Sequence, residues 1–89
     1  MMPNQPTILR QFTPSTPSLN EIVCGNIRAE AARQRATRAD LKRSLGWSEY
    51  KMRSLWEGRR IMLTDVFVMG LALGVDSSVF FAKVGHETP

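Results

Sequence analysis

The chain has 89 residues, of which 12 are basic and 8 acidic, for a net charge of +4. That length holds one core, since single cores usually occupy about 50 to 200 residues, and a hydrophobic content of 43% is enough to build it. One cysteine, Cys24, and one histidine, His86, exclude a disulfide framework and a Cys/His zinc site within one chain, so no metal or cofactor is expected. Cys24 reads as a small buried residue in a helix, not as a reactive thiol.

Residues 1–18 form an N-terminal arm holding four of the five prolines, Pro3, Pro6, Pro14 and Pro17. Proline removes amide donors and biases its predecessor toward extended backbone, so the arm has no core of its own. It is either a simple tail or an extended segment, Thr7-Ile8-Leu9-Arg10-Gln11-Phe12, that docks on the body or on a second subunit. The opening Met1-Met2-Pro3-Asn4-Gln5-Pro6 lacks the basic start and apolar stretch of a secretory signal, and the expected compartment is the cytoplasm.

A helical domain is expected over residues 19–85, with 86–89 as a tail. Ser18-Leu19-Asn20-Glu21 reads as a capping box, and Val23, Ile27 and Ala31 at four-residue spacing extend the helix to about Arg35. Thr37 caps a second helix, with Asp40 at its third position, Leu41 and Leu45 on its inner face and Gly46 at its end. Ser48 caps a third, Glu49 to Glu57, ended by Gly58. On a wheel at about 100° per residue, Met52, Leu55 and Trp56 share one face of it, and Glu49, Tyr50, Arg53, Ser54 and Glu57 the other.

A fourth helix starts near Thr64 and stops at Gly74. Its apolar run from Val66 to Val75 is far shorter than the roughly 20 residues a membrane span needs, so it reads as a buried helix. Asp76 or Ser77 caps a short fifth carrying Val79, Phe80, Phe81 and Val84. The fold class is therefore all-α, five compact helices with no strand in the domain.

Charge is unevenly spread. Between Arg28 and Arg60 stand ten basic residues and four acidic ones, a balance of +6, while the rest of the chain contributes −2. Such a window suits a surface that neutralises phosphates, and it overlaps a helix, a glycine turn and a serine-capped helix at helix-turn-helix spacing. With His86 in the tail, no Gly-rich phosphate loop and no framed acid pair, no enzymatic chemistry is expected.

This stretch resembles the Cro/repressor-type (XRE-like, lambda-repressor-like) helix-turn-helix family of DNA-binding proteins. The resemblance rests on Asn26-Ile27-Arg28-Ala29-Glu30, on Thr37, Leu41, Leu45, Gly46 and Ser48 at their spacing, on Gly58 with its basic neighbours, and on Leu71-Ala72-Leu73-Gly74-Val75. It covers about residues 26 to 84 and looks most like small phage or prophage regulators. It implies a lambda-repressor-like domain that occupies operator DNA and regulates transcription, commonly as a homodimer.

Carried over by position, the resemblance implies that Glu49, Tyr50, Arg53 and Ser54 read base edges. It implies that Thr37, Arg38, Ser48, Lys51, Arg59 and Arg60 hold phosphates. Two positions depart from the family: Lys42 stands where a small residue is usual, so its stem must snorkel or the helices must sit differently. Trp56 replaces a polar residue and, like Trp47, reads as core. The fifth helix, with Phe80 and Phe81, and the arm are the expected dimer surfaces, one phenylalanine belonging to the core. The competing reading is an antitoxin or other protein-interaction module on the same fold, in which the arm folds along the partner.

Overall fold

The computed structural model describes residues 18–82, and among these every regular element is helical. Helix α1 runs Leu19–Arg33. Its start is a reciprocal cap: the Ser18 hydroxyl accepts from the Glu21 amide at 3.1 Å, and the Glu21 carboxylate accepts from the Ser18 amide at 3.0 Å. It ends two residues before the expected Arg35, because Arg35 turns into the left-handed region at φ +59 and the Ala36 amide reaches back to the Ala31 carbonyl.

Helix α2, Arg38–Leu45, opens with a second reciprocal cap, between Thr37 and Asp40. It closes at Gly46, whose φ of +67 few side-chain-bearing residues adopt without strain. Helix α3, Glu49–Trp56, follows after Trp47 and Ser48, with the Ser48 hydroxyl accepting from the Lys51 amide. Helix α4 spans Leu63–Leu73 and has no side-chain cap.

The expected fifth α-helix is instead a 3-10 helix, Ser77–Phe81, capped by Asp76. Its turns close by three-residue bonds, from the Val79 amide to the Asp76 carbonyl and from the Ala82 amide to the Val79 carbonyl, and Val79, Phe80 and Phe81 bring low helix propensity. Val84, the arm over residues 1–17 and the tail at 86–89 lie outside the described residues.

One core joins these elements: Val23, Ile27, Ala31, Leu41, Met52, Leu55, Val66, Met69, Leu73 and Phe80, with Leu45, Trp47 and Trp56 packed against it. Cys24 is buried as expected, and Phe80 is the core phenylalanine at 0% exposure. Helix α1 packs on α3, α4 and the 3-10 helix, while α2 packs on α3 and α4.

Two polar residues of α1 and its C-cap residue Gln34 fasten the ends of three other elements. Arg28 donates to the Trp56 carbonyl at the end of α3, and Gln34 donates to the Leu73 carbonyl at the end of α4. Asn26 donates to the carbonyls of Phe80 and Ala82 around the 3-10 helix. The last carbonyls of a helix have no partner within it, so α1 supplies partners by tertiary contact.

Helix α4 departs from the expectation of a buried helix. Val66, Met69, Gly70 and Leu73 face the core, whereas Leu63, Phe67 and Leu71 are exposed. Among the described residues no helix is long and apolar enough to cross a membrane.

Candidate nucleic-acid interface

The α2–turn–α3 unit sets one face of the molecule. Gly46 reverses the chain, Ser48 starts α3 at once, and burial of Met52 and Leu55 leaves Tyr50, Arg53 and Glu57 facing water. Glu49 is the electrostatic centre of this face. Its carboxylate accepts from Arg38 at 2.6 Å, lies 3.4 Å from the Lys42 ammonium and accepts from Arg53 at 3.3 Å. Two of these cations come from α2, four residues apart and so on one side of that helix, and the third from α3. Three positive groups around one negative group leave the cluster at +2 in charge.

The Arg38 guanidinium, first by its hydrogen bond and then by its charge, holds the Glu49 carboxyl down at about 2, with Lys42 adding to the effect and partial desolvation opposing it. Hydrogen bonding to Glu49 in turn raises the Arg38 pKa above its ordinary value. Lys42 therefore snorkels: half-buried, it carries its ammonium onto Glu49.

The expected base-reading set is brought together except for Ser54. Tyr50 is 69% exposed, and Arg53 is exposed beside Glu49. Ser54 is a correction to the wheel, being only 7% exposed. The chain after Gly58 folds back across it, with the amides of Arg59 and Arg60 both donating to the Ser54 carbonyl. It lines a cleft of about 310 Å³ with Tyr50, Lys51, Arg60, Met62, Thr64 and Asp65.

The expected phosphate contacts divide into engaged and open groups. Thr37 and Ser48 accept cap bonds through their hydroxyl oxygens, which leaves each O–H able to donate outward. Lys51 lies 3.3 Å from the half-buried Asp65 and 5.1 Å from the centre of the Trp47 ring, so it binds α3 to α4 and covers the tryptophan. Arg59 pairs with Glu57 at 3.0 Å, an exposed contact worth little in water and easily exchanged. Among the described residues Arg60 and Arg35 make no ion pair.

Sequence reasoning missed the role of Lys42 in this cluster and of Arg28 behind it. The four-residue spacing of Arg38 and Lys42 was a usable signal for the first. Nothing local announces the second, because Arg28 reaches a carbonyl 28 residues away. Among the described residues no group of His, Cys, Asp and Glu is placed to hold a metal ion. Comparisons with protein families, with curated proteins and with solved structures return no match.

Proposed function

We propose that the protein is a sequence-specific double-stranded DNA-binding transcriptional regulator of the Cro/repressor type, which enters the major groove with α3. The observation that carries this reading is the Glu49 cluster: two helices joined by a left-handed glycine turn hold Arg38, Lys42 and Arg53 around one carboxylate on a surface with a positive excess. Free cations on long side chains lose rotamer freedom when they meet a phosphate. Cations already held in place lose less, which favours binding.

In this reading Arg53 and Tyr50 reach base edges, Arg53 toward the O6 and N7 of a guanine. Glu49 orders the arginines and keeps lone pairs for a cytosine amino group. Arg38, Thr37, Ser48, Arg59 and Arg60 meet the backbone and fix the register. The protein acts by occupying its site and excluding other proteins. One such domain spans only a few base pairs, so two copies on successive major grooves about 34 Å apart complete the site.

Selection of bound duplexes from a random pool tests the proposal, with a palindromic consensus as the expected result. Arg53→Ala is expected to cost about 1 to 3 kcal/mol on that consensus and to relax one base pair. Arg38→Ala is expected to weaken binding to every sequence and to flatten its salt dependence. Equal small effects of both variants on consensus and random duplexes would remove α3 from the groove. Enrichment of no sequence at all would favour the protein-interaction module instead.

A further inference from the structure

A surface helix normally shows water a polar face, and one that is apolar all round is covered on every side. Helix α4 breaks this rule. Between Leu63 and Leu73 its sole ionisable residue is Asp65, which is turned to Lys51. Its outward side carries Leu63, Phe67 and Leu71, exposed by 73, 56 and 66%. At four-residue steps these three form one ridge along the helix. Beside it runs a lower ridge of Thr64, Val68 and Ala72, of which Thr64 and Ala72 are exposed and Val68 half-buried.

We infer that this face of α4 is the interface with a second copy of the chain, packed about a two-fold axis near Phe67. The ridges are the first reason. A high ridge beside a low one leaves a groove that the high ridge of another α4 fits, which is how helices pack when their four-residue rows interdigitate. Leu63 and Leu71 flank Phe67 symmetrically, so an antiparallel partner sets Leu63 against the partner's Leu71 and makes the patch complementary to itself.

Charge is the second reason. Apart from Asp65, which is paired with Lys51, the residues of α4 carry no ionisable group, so the helix itself has no cation to attract nucleic acid or an anionic lipid surface and no outward charge to repel its own copy.

Area is the third reason. Scaled by their exposures, the three large side chains offer roughly 400 Å² of apolar surface per copy, as much as the largest patch on many monomers. Two copies can thus bury at most about 800 Å² through six side chains, and the second ridge carries the total toward the ~1,000 Å² at which specific interfaces begin. Such a dimer is weak in isolation.

This assignment deepens the DNA-binding reading by supplying the second copy, yet it does not depend on it. It also moves the dimer surface off the 3-10 helix, where Phe80 is buried in the core.

Sedimentation of the full chain without DNA, over a concentration series, is the test. The wild type is expected to rise to twice the monomer mass. Phe67→Glu is expected to halve the mass at the top of the series with unchanged far-ultraviolet circular dichroism. Because Cys24, the one cysteine in the sequence, is buried, Phe67→Cys adds a single accessible thiol and is expected to give a covalent dimer under mild oxidation. A wild type that stays at monomer mass throughout, or a Phe67→Glu chain that keeps twice that mass, overturns the inference. So does a monomer whose Phe67→Cys thiol is alkylated slowly until Phe12→Asp is added, which would give the face to the chain's own arm. None of these readouts uses DNA. A dimer that binds no duplex refutes the regulator alone, and a monomer that binds one refutes the interface alone.

Discussion

Helices α3 and α4 are anchored alike and finished differently. Each turns a strip of buried residues to the common core, Met52 and Leu55 on one and Val66, Met69 and Leu73 on the other. Outward, α3 shows a tyrosine and ionised groups held by neighbours, whereas α4 shows two leucines and a phenylalanine. A charged face needs no more than water to explain it, so the placing of its charges carries the information: three cations meet on one carboxylate. An apolar face in water is unfavourable at about 25 cal/mol per Å², so the question it raises is whether a second copy removes it from water. The two helices thus pose different questions, one about what is recognised and the other about what is joined.

The largest effects test whether the two inner faces are equivalent. Leu55→Ala on α3 and Met69→Ala on α4, each 1% exposed or less, are expected to cost about 2 to 5 kcal/mol apiece in urea denaturation. A loss under about 1 kcal/mol at either site would show that one helix merely rests on the core. Leu45, which the sequence places on the inner face of α2, is half-buried, and its truncation is expected to cost less than either.

Next comes the joint between them. Gly58 has φ +73, and a Cβ there would stand 2.8 Å from the Cys24 sulfur and 3.3 Å from the Asn20 carbonyl oxygen. Gly46 has the same sign of φ with open space around it. Gly46→Ala should therefore cost only the left-handed strain, about 1 to 2 kcal/mol, and Gly58→Ala about 1 to 3 kcal/mol more, since overpacking is added. Equal melting temperatures for the two variants would mean that α1 yields at Cys24 and that the approach of α1 to the α3–α4 joint is loose.

Acid titration addresses the outer face of α3 by itself. Glu49 has a folded pKa of about 2 against an ordinary 4.5. Its depressed value means that it stabilises the fold fully above about pH 4.5 and loses this contribution as the pH falls toward 2. In Glu49→Gln that part of the acid-induced drop in melting temperature should vanish, while Asp40 and Asp76, whose pKa values are lowered by the Thr37 cap and the Ser78 amide, continue to contribute. An unchanged acid limb would show that the three cations do not depend on Glu49. Since Glu49 stays ionised near neutrality, no pH dependence of the cluster is expected between 5 and 8.

What could be read from sequence follows the range of the interactions. The caps at Ser18, Thr37 and Ser48 and the turn at Gly46 are settled within four residues, and each lies where its pattern puts it. Ser54 could not be placed this way, because the chain that returns to it after the Gly58 turn, bonding its carbonyl through the Arg59 and Arg60 amides and setting Arg60, Met62, Thr64 and Asp65 around it, lies outside the helix a wheel describes. Nor could the outer face of α4. Periodicity locates a buried face by contrast with a polar one, and ten apolar residues in a row from Val66 to Val75 offer none. The clamps from Asn26, Arg28 and Gln34 span 28 to 56 residues and leave no local trace. For the candidate site, the wheel correctly separated Met52 and Leu55 from Tyr50 and Arg53. It did not reveal that Glu49 ties the second of these faces to α2.

The smallest effect on the fold distinguishes the two outer faces most directly. Arg53→Ser and Phe67→Ser both alter exposed side chains, so at low protein concentration each should leave the unfolding free energy within about 0.5 kcal/mol of the wild type. Concentration then separates them. A species that forms only between folded chains stabilises them by mass action, so the melting temperature of the wild type and of Arg53→Ser should climb as protein is added, and that of Phe67→Ser should stay flat. A flat series for all three would leave the apolar face of α4 without a self-partner. A climb in Phe67→Ser equal to the wild type's would place the association elsewhere, and the exposed Val79 and Phe81 of the 3-10 helix would be the next residues to change.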